Sequence, residues 1–228
     1  MRFPKDPLEI LSVLSNLLPP GLALIRWQQL DRPQRLIGGL IGFLILTEIA
    51  SYVYFAPVVR NNVYLFHLYT IVEFAVICTA YRTVFSSAAL REFLRVIVPA
   101  FAVMALVNAI WWQPARLAAF NSIPRSVEAL ILIALALLYL RQLLDELVVK
   151  RLSRHPMFWV TVGVLFYFSG TFFLFAAIKV FDTSLAPSLV DRLWELNYVA
   201  NIVFNLFLTV ALWLPSNPPP PHPTPIPS

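Results

Sequence analysis

The stretch "LWELNYVANIVFNLFLTVALWL", residues 193–214, decides the fold class. It is 22 residues long and mostly apolar. A helix of about 20 such residues crosses the hydrocarbon core of a bilayer, which is about 30 Å thick. The stretch therefore predicts a transmembrane helix.

The rest of the 228-residue chain has the same character. Its composition is 59% hydrophobic and 13% charged with a mean hydropathy of +0.75, whereas a soluble domain is about a quarter charged. The sequence predicts an integral protein of the cell membrane (a plasma membrane or a bacterial inner membrane) without a separate soluble domain. The net charge of +5 comes from basic residues scattered between apolar blocks, so we expect contact with membrane lipid and no nucleic-acid binding.

Seven segments are long and apolar enough to span, which predicts an all-α seven-helix membrane domain over residues 1–214. Pro19 and Pro20 interrupt the first segment, so a kinked span and a hinged interfacial helix both fit it. The segment "PSNPPPPHPTPIPS", residues 215–228, predicts a disordered tail. The predicted spans are approximately 8–26, 35–57, 62–85, 92–112, 122–144, 157–180 and 193–214.

The Lys and Arg residues near the span ends predict an orientation. Ten of them follow spans one, three and five, and seven lie on the opposite side. By the positive-inside rule, the N-terminus is expected outside and the Pro-rich tail in the cytoplasm. The ten residues are Arg26, Arg32, Arg35, Arg82, Arg91, Arg95, Arg141, Lys150, Arg151 and Arg154.

Four spans each carry polar side chains that fall on one helical face. Successive helical residues turn by about 100°, and at this spacing each of the four groups forms a stripe. A charge at the bilayer centre costs at least about 2.5 kcal/mol, so we expect the four stripes to face one cavity in the outer half of the membrane. The predicted cavity residues are Glu48, Asn62, Tyr69, Glu73, Asn121, Arg125, Glu128, Asn197 and Asn201.

Arg125 is the basic member of this set, which predicts an ion-paired network around it. Its partner is expected to be Glu128 on its own helix, or Glu48 and Glu73 across the bundle. The asparagine stripe of the last span, Asn197, Asn201 and Asn205, has a second interpretation, because buried amides often form hydrogen bonds between helices without any further role.

Several chemistries lack the residues that they need. The last span has no lysine for a retinal Schiff base, and two of the three histidines, His155 and His222, lie outside the spans, so a three-histidine zinc site fails. No Gly-rich phosphate loop, serine nucleophile elbow or CxxC pair is present, and the single cysteine, Cys78, permits no intrachain disulfide. We therefore expect no metal and no cofactor.

Three segments carry a resemblance: "NNVYLFHLYTIVEF" (61–74), "FNSIPRSVEAL" (120–130) and "FWVTVGVLFYFSG" (158–170). In these segments and in its span count, the chain resembles bacterial seven-span membrane proteins and the seven-span sensor modules attached to or encoded beside histidine kinases. With the predicted polar cavity, the resemblance implies a receptor or sensor that binds a small polar or amphipathic molecule and signals to a cytoplasmic partner. The alternatives are a small transporter and a metal-independent enzyme that acts on lipid with Glu73 and Glu128 as acid and base.

Overall fold

The computed structural model describes residues 6–51, 53, 63–112, 122–145, 152–181 and 187–216. Within these ranges the regular structure is helical and there is no strand, which confirms the all-α part of the predicted fold class. The predicted cavity residues Asn62 and Asn121, and the tail beyond residue 216, lie outside the described residues. The helices are α1 (Pro7–Ser15), α2 (Leu18–Arg26), α3 (Arg32–Ala50), α4 (Val63–Val84), α5 (Ala88–Val107), α6 (Ser122–Asp145), α7 (Pro156–Phe181) and α8 (Pro187–Trp213).

In the described part of the chain, six helical segments are long and apolar enough to cross a membrane, which suggests a multipass membrane protein. They are α1 and α2 taken together, α3, α5, α6, α7 and α8. The long helix outside this set is α4, which carries His67, Glu73 and Arg82 among its 22 residues. It packs against α3, α5 and α6, so it belongs to the same bundle.

The first predicted span is divided into two helices. A turn at Asn16 and Leu17 separates α1 from α2. Pro19 and Pro20 fall in the first turn of α2, where a backbone N–H has no intrahelical acceptor and its loss is tolerated. Both α1 and α2 pack against α8. The two prolines therefore divide the segment without removing either half from the bundle.

Glycines mark two close approaches between helices. A Cβ atom added at Gly38 of α3 would lie 2.6 Å from Cβ of Ala23 in α2. A Cβ atom added at Gly163 of α7 would lie 3.1 Å from Cβ of Phe207 in α8. Small residues allow helix backbones to approach closely, which favours van der Waals contact where no hydrophobic driving force acts between helices in lipid.

Gln34 joins the beginning of α3 to the end of α8. Its buried Nε2 donates to the carbonyl oxygens of Ala211 at 2.8 Å and Leu214 at 3.1 Å. The Asp31 carboxylate accepts from the Gln34 backbone N–H at 3.0 Å and caps α3. Burial raises the pKa of the Asp31 carboxyl above its ordinary value. We call this end of the bundle, where α2 and α8 end and α3 begins, the Gln34 end.

Large aromatic side chains fill the half of the bundle nearer the Gln34 end. The rings of Tyr81, Phe85 and Tyr139 contact one another with centroids 5.8 Å apart in each pair. Phe74 stacks on Phe101 at 4.1 Å, joining α4 to α5. All five side chains are buried. The half of the bundle nearer the Gln34 end is therefore a packed apolar core.

Candidate functional site

A cavity of about 370 Å³ lies in the half of the bundle opposite the Gln34 end. Its wall comes mainly from α1, the second half of α3, the first half of α4 and the middle of α8. Such a volume lies within the range of small-molecule sites, about 300–1,000 Å³. Six of the nine predicted cavity residues line it: Glu48, Tyr69, Glu73, Arg125, Asn197 and Asn201.

An ionic cluster of α4 and α6, which we call the Arg125 cluster, forms one side of this wall. Nη1 of Arg125 donates to Oε2 of Glu128 at 2.9 Å and to Oε2 of Glu73. The hydroxyl of Tyr69 donates to Oε1 of Glu73 at 3.0 Å, and the guanidinium lies 5.5 Å from the centre of the Tyr69 ring. The side chains of Glu73 and Glu128 are 2% and 0% exposed. Arg125 is therefore held by two buried carboxylates and an aromatic face.

Asn16 is the centre of a second polar cluster, which joins α1, α3 and α8 and which we call the Asn16 cluster. Its Nδ2 donates to Oε1 of Glu48 at 3.2 Å. Its Oδ1 accepts from Nδ2 of Asn201 at 2.9 Å and from Nδ2 of Asn205 at 2.7 Å. The turn between α1 and α2 places Asn16 at the end of α1, opposite the asparagine stripe of α8. The helix break and the polar stripe thus meet at the cavity.

Serines of α1 extend this second cluster along α8. Nδ2 of Asn201 also lies 3.0 Å from Oγ of Ser12, and Nδ2 of Asn205 lies 2.9 Å from Oγ of Ser15. Ser12 and Ser15 are buried although large apolar side chains of α1 such as Leu14 are exposed. The buried face of α1 is therefore polar, and hydrogen bonds hold it against α8.

Two of the predicted site residues occupy positions that differ from the expectation. Glu48 does not pair with Arg125, because the side chain that reaches it is Asn16 of α1. Glu128 contacts Arg125 but is not part of the described cavity wall; it lies behind the guanidinium with no exposed surface. The ionic network around Arg125 thus contains Glu73 and Glu128, while Glu48 belongs to the Asn16 cluster.

The predicted residue set missed the contribution of α1 and of α7. Ser12, Ser15 and Asn16 stand at positions i, i+3 and i+4, which is the spacing of one helical face. The same phase rule applied to the first span identifies them. Tyr167 of α7 also lines the cavity, and its ring stacks on Phe204 of α8 at 4.9 Å. Tyr167 shares a helical face with Gly163, Gly170 and Thr171, a spacing that indicates close packing of α7 against a neighbouring helix but does not indicate a cavity.

The charged side chains that the structure places in the cavity wall are mostly acidic. Three carboxylates, those of Glu9, Glu48 and Glu73, stand against one guanidinium, that of Arg125. The formal charge of this described wall is therefore −2 when all four groups are ionised. Among the described residues, no three His, Cys, Asp or Glu side chains are grouped as a metal site requires.

Comparison with known proteins finds no matching protein family, no matching curated protein and no matching solved structure. The cavity and its two polar clusters are therefore the features that indicate a function.

Proposed function

We propose that the chain is a receptor-like or sensor-like membrane protein whose cavity binds a small polar or amphipathic molecule. The observation that carries this proposal is the cavity of about 370 Å³ with the Arg125 cluster on one side and the Asn16 cluster on the other. Ionisable groups within membrane segments are rare and mark functional paths or sites by default, because lipid penalises them. Polar groups for orientation within a mainly apolar pocket are the usual composition of a ligand site.

Seven spans with an outer N-terminus complete the proposed topology. Six helical segments are apolar enough to span, and α4 packs among them over 22 residues, so it is assigned as the seventh. The Gln34 end carries Arg26, Arg32 and Arg35 in the described chain, which by the positive-inside rule makes it the cytoplasmic end. In this orientation the cavity faces outward in a plasma or bacterial inner membrane.

A binding role agrees better with the interior than a transport role does. A transporter must open its site toward the cytoplasm in one of its conformations. Beyond Glu73, α4 instead contributes Phe74, Ile77 and Tyr81 to the packed core, each at most 1% exposed. The described cavity therefore ends at this core.

An enzymatic role receives less support from the same groups. A general acid and a general base must each lie within hydrogen-bond reach of a substrate. Glu128 instead lies outside the described cavity wall with no exposed surface, and both it and Glu73 accept from Nη1 of Arg125. We therefore favour binding over catalysis by this pair.

Signalling to a cytoplasmic partner would use α3 and α8. The Asn16 cluster attaches to α3 through Glu48 and to α8 through Asn201 beside the cavity. Gln34 attaches the same two helices to each other at the opposite end. A ligand that moves the Asn16 cluster would displace α8 relative to α3, and this displacement would reach the Gln34 end.

The test is a thermal-unfolding screen of purified protein in a neutral maltoside detergent against a library of polar and amphipathic molecules. Asn197→Phe fills the cavity, whereas Leu196→Phe adds the same ring at the adjacent position, which is 64% exposed. We expect ligands that raise the unfolding temperature of wild type and Leu196→Phe but not of Asn197→Phe. Ligands that stabilise all three proteins equally, or a screen without any stabilising ligand, would contradict the proposal.

A further inference from the structure

We infer that the cavity selects an organic cation with N–H donors, that is, a protonated amine with an apolar body. This deepens the proposed function and rests on it. Three features of the cavity wall support it independently of one another: its charge, its hydrogen-bonding groups and its aromatic faces.

The charge of the described wall is negative and partly uncompensated. Arg125 lies between Glu73 and Glu128, so its charge is already balanced within the ionic cluster. Glu48 is in contact with a neutral amide, and no cation of the described residues lies within 4.0 Å of it. A carboxylate in a membrane segment is costly without a partner. A cationic ligand supplies the missing charge at Glu48, whereas an anion would have to compete with two carboxylates for Arg125.

The hydrogen-bonding groups beside Glu48 lack donors. Asn16 donates its Nδ2 to Oε1 of Glu48 and accepts at its Oδ1 from α8. Asn205 must then turn its own Nδ2 toward Asn16, which leaves its Oδ1 as an acceptor. This Oδ1 and that of Asn197 are buried and receive no hydrogen bond from the described residues, and Asn205 is 1% exposed. Both residues line the cavity, so rotation of either amide brings its Oδ1 to an N–H group that a ligand donates.

Aromatic side chains complete the wall. The face of an aromatic ring attracts a cation, and desolvated sites strengthen this attraction. Arg125 over the Tyr69 ring is an example of the same interaction within the protein. An apolar body attached to the ammonium group would contact these rings in addition. The aromatic residues of the wall are Phe66, Tyr69, Tyr167, Trp194, Tyr198 and Phe204.

The test compares probes that share a phenyl ring and a short chain but differ in charge. They are 2-phenylethylammonium (cation), 2-phenylethanol (neutral) and 3-phenylpropionate (anion). Binding to the full chain in maltoside detergent is measured by titration calorimetry and by the shift in unfolding temperature. We expect the cation to bind at least about tenfold more tightly than the other two probes. Equal or tighter binding of the neutral or anionic probe would overturn the inference.

A variant that removes the charge of Glu48 tests whether this carboxylate causes the preference for a cation. Glu48→Gln keeps a carbonyl acceptor for Asn16 but removes the charge, and we expect it to weaken binding of the cation by about tenfold. Glu195→Gln removes the charge of an exposed residue of α8 that is not in the described wall, and we expect its affinity to remain within about twofold of wild type. Undiminished binding by Glu48→Gln would overturn the assignment to this carboxylate.

A methylated probe tests the donor requirement separately. The trimethylated form of 2-phenylethylammonium keeps the charge and the ring but has no N–H group, so it leaves Asn197 and Asn205 without donors. We expect it to bind more weakly than the primary amine, and tighter binding would refute the role of these acceptors.

Failure of the cation preference is distinguishable from failure of the proposed function. If neutral or anionic ligands bind to wild type and Asn197→Phe abolishes this binding, the cation preference is refuted and the proposed binding cavity is retained. No binding of 2-phenylethylammonium at millimolar concentration would also refute the preference, and the library screen would then decide the proposed function independently.

Discussion

Replacement of Arg125 by methionine should destabilise the protein strongly. The change removes the guanidinium between Glu73 and Glu128, whose side chains are 2% and 0% exposed, and the formal charge of the cluster falls from −1 to −2. Loss of one partner from a buried ion pair costs about 3–5 kcal/mol, because the remaining charge is left uncompensated. Since Tyr69 still donates to Glu73 at 3.0 Å, we expect the lower end, about 3 kcal/mol.

The assay is reversible unfolding of the purified protein in mixed micelles by titration with sodium dodecyl sulfate, followed by circular dichroism. Arg95→Met is the matched control, because Arg95 pairs with Glu92 three residues away but both side chains are more than half exposed. Its expected loss is about 0–1 kcal/mol. Glu128→Gln leaves a neutral Arg125–Glu73 pair and should change the free energy of unfolding by less than about 1 kcal/mol.

Two results would refute this account of the Arg125 cluster. One is a free energy of unfolding for Arg125→Met that lies within the error of the Arg95→Met control. The other is a loss of unfolding free energy in Glu128→Gln as large as that in Arg125→Met. Such a loss would mean that the Glu128 charge stabilises the cluster and that the excess negative charge does not destabilise it.

Three further predictions test the fold. Gly38→Ala places a Cβ atom 2.6 Å from that of Ala23 and should lower the free energy of unfolding by about 1–3 kcal/mol. Gly39→Ala is the control, because its Cβ atom meets no atom within 4 Å. Equal free energies for the two variants in the same titration would contradict the close approach of α2 and α3. Burial raises the pKa of the Asp31 carboxyl above its ordinary value of 3.8, so the folded state favours the protonated carboxyl. The contribution of this group to the free energy of unfolding is therefore complete below pH 3.8 and is lost as the pH rises through the raised pKa. Asp31→Asn retains a capping side chain, and the difference in unfolding free energy between wild type and variant should therefore change with pH in this window; a constant difference would be inconsistent with a buried Asp31. Cys78, the single cysteine, is 0% exposed, so maleimide should label it slowly in the folded protein and completely after unfolding, and rapid labelling of folded protein would argue against the packing of α4.

The sequence located the long helices but not their ends. The fourth predicted span begins at residue 92, whereas α5 begins at Ala88, because Oγ of Ser87 accepts from the Leu90 backbone N–H at 3.4 Å. The last predicted span begins at residue 193, whereas α8 begins at Pro187, a residue that suits the first turn of a helix. Hydropathy reports where a helix becomes apolar, while capping residues and prolines decide where it begins.

The sequence also indicated the Arg125 cluster, because a charge in a membrane segment needs a partner and helical phase limits the candidates. Glu128 stands one turn after Arg125, and Glu73 lies at a similar depth on α4. Depth and phase do not reveal which helices are neighbours. Glu48 satisfied both criteria, yet α1 lies beside α3 and α8 and brings Asn16 to it instead.

The role of α1 was hidden by the prolines that follow it. A segment interrupted by Pro19 and Pro20 resembles a poor span, and hydropathy does not report the polar face formed by Ser12, Ser15 and Asn16. In the structure Asn16 lies at this break and contacts Glu48 and the asparagines of α8. The asparagine stripe thus forms interhelical hydrogen bonds, as its alternative interpretation expected, and lines the cavity as well.

Saturation binding of the most stabilising library ligand tests the central claim most directly. It is measured by titration calorimetry on wild type, Asn197→Phe and Leu196→Phe in the same maltoside detergent. A ligand-binding cavity predicts saturable binding to wild type and Leu196→Phe and none to Asn197→Phe. Saturable binding that Asn197→Phe retains at full strength would contradict it.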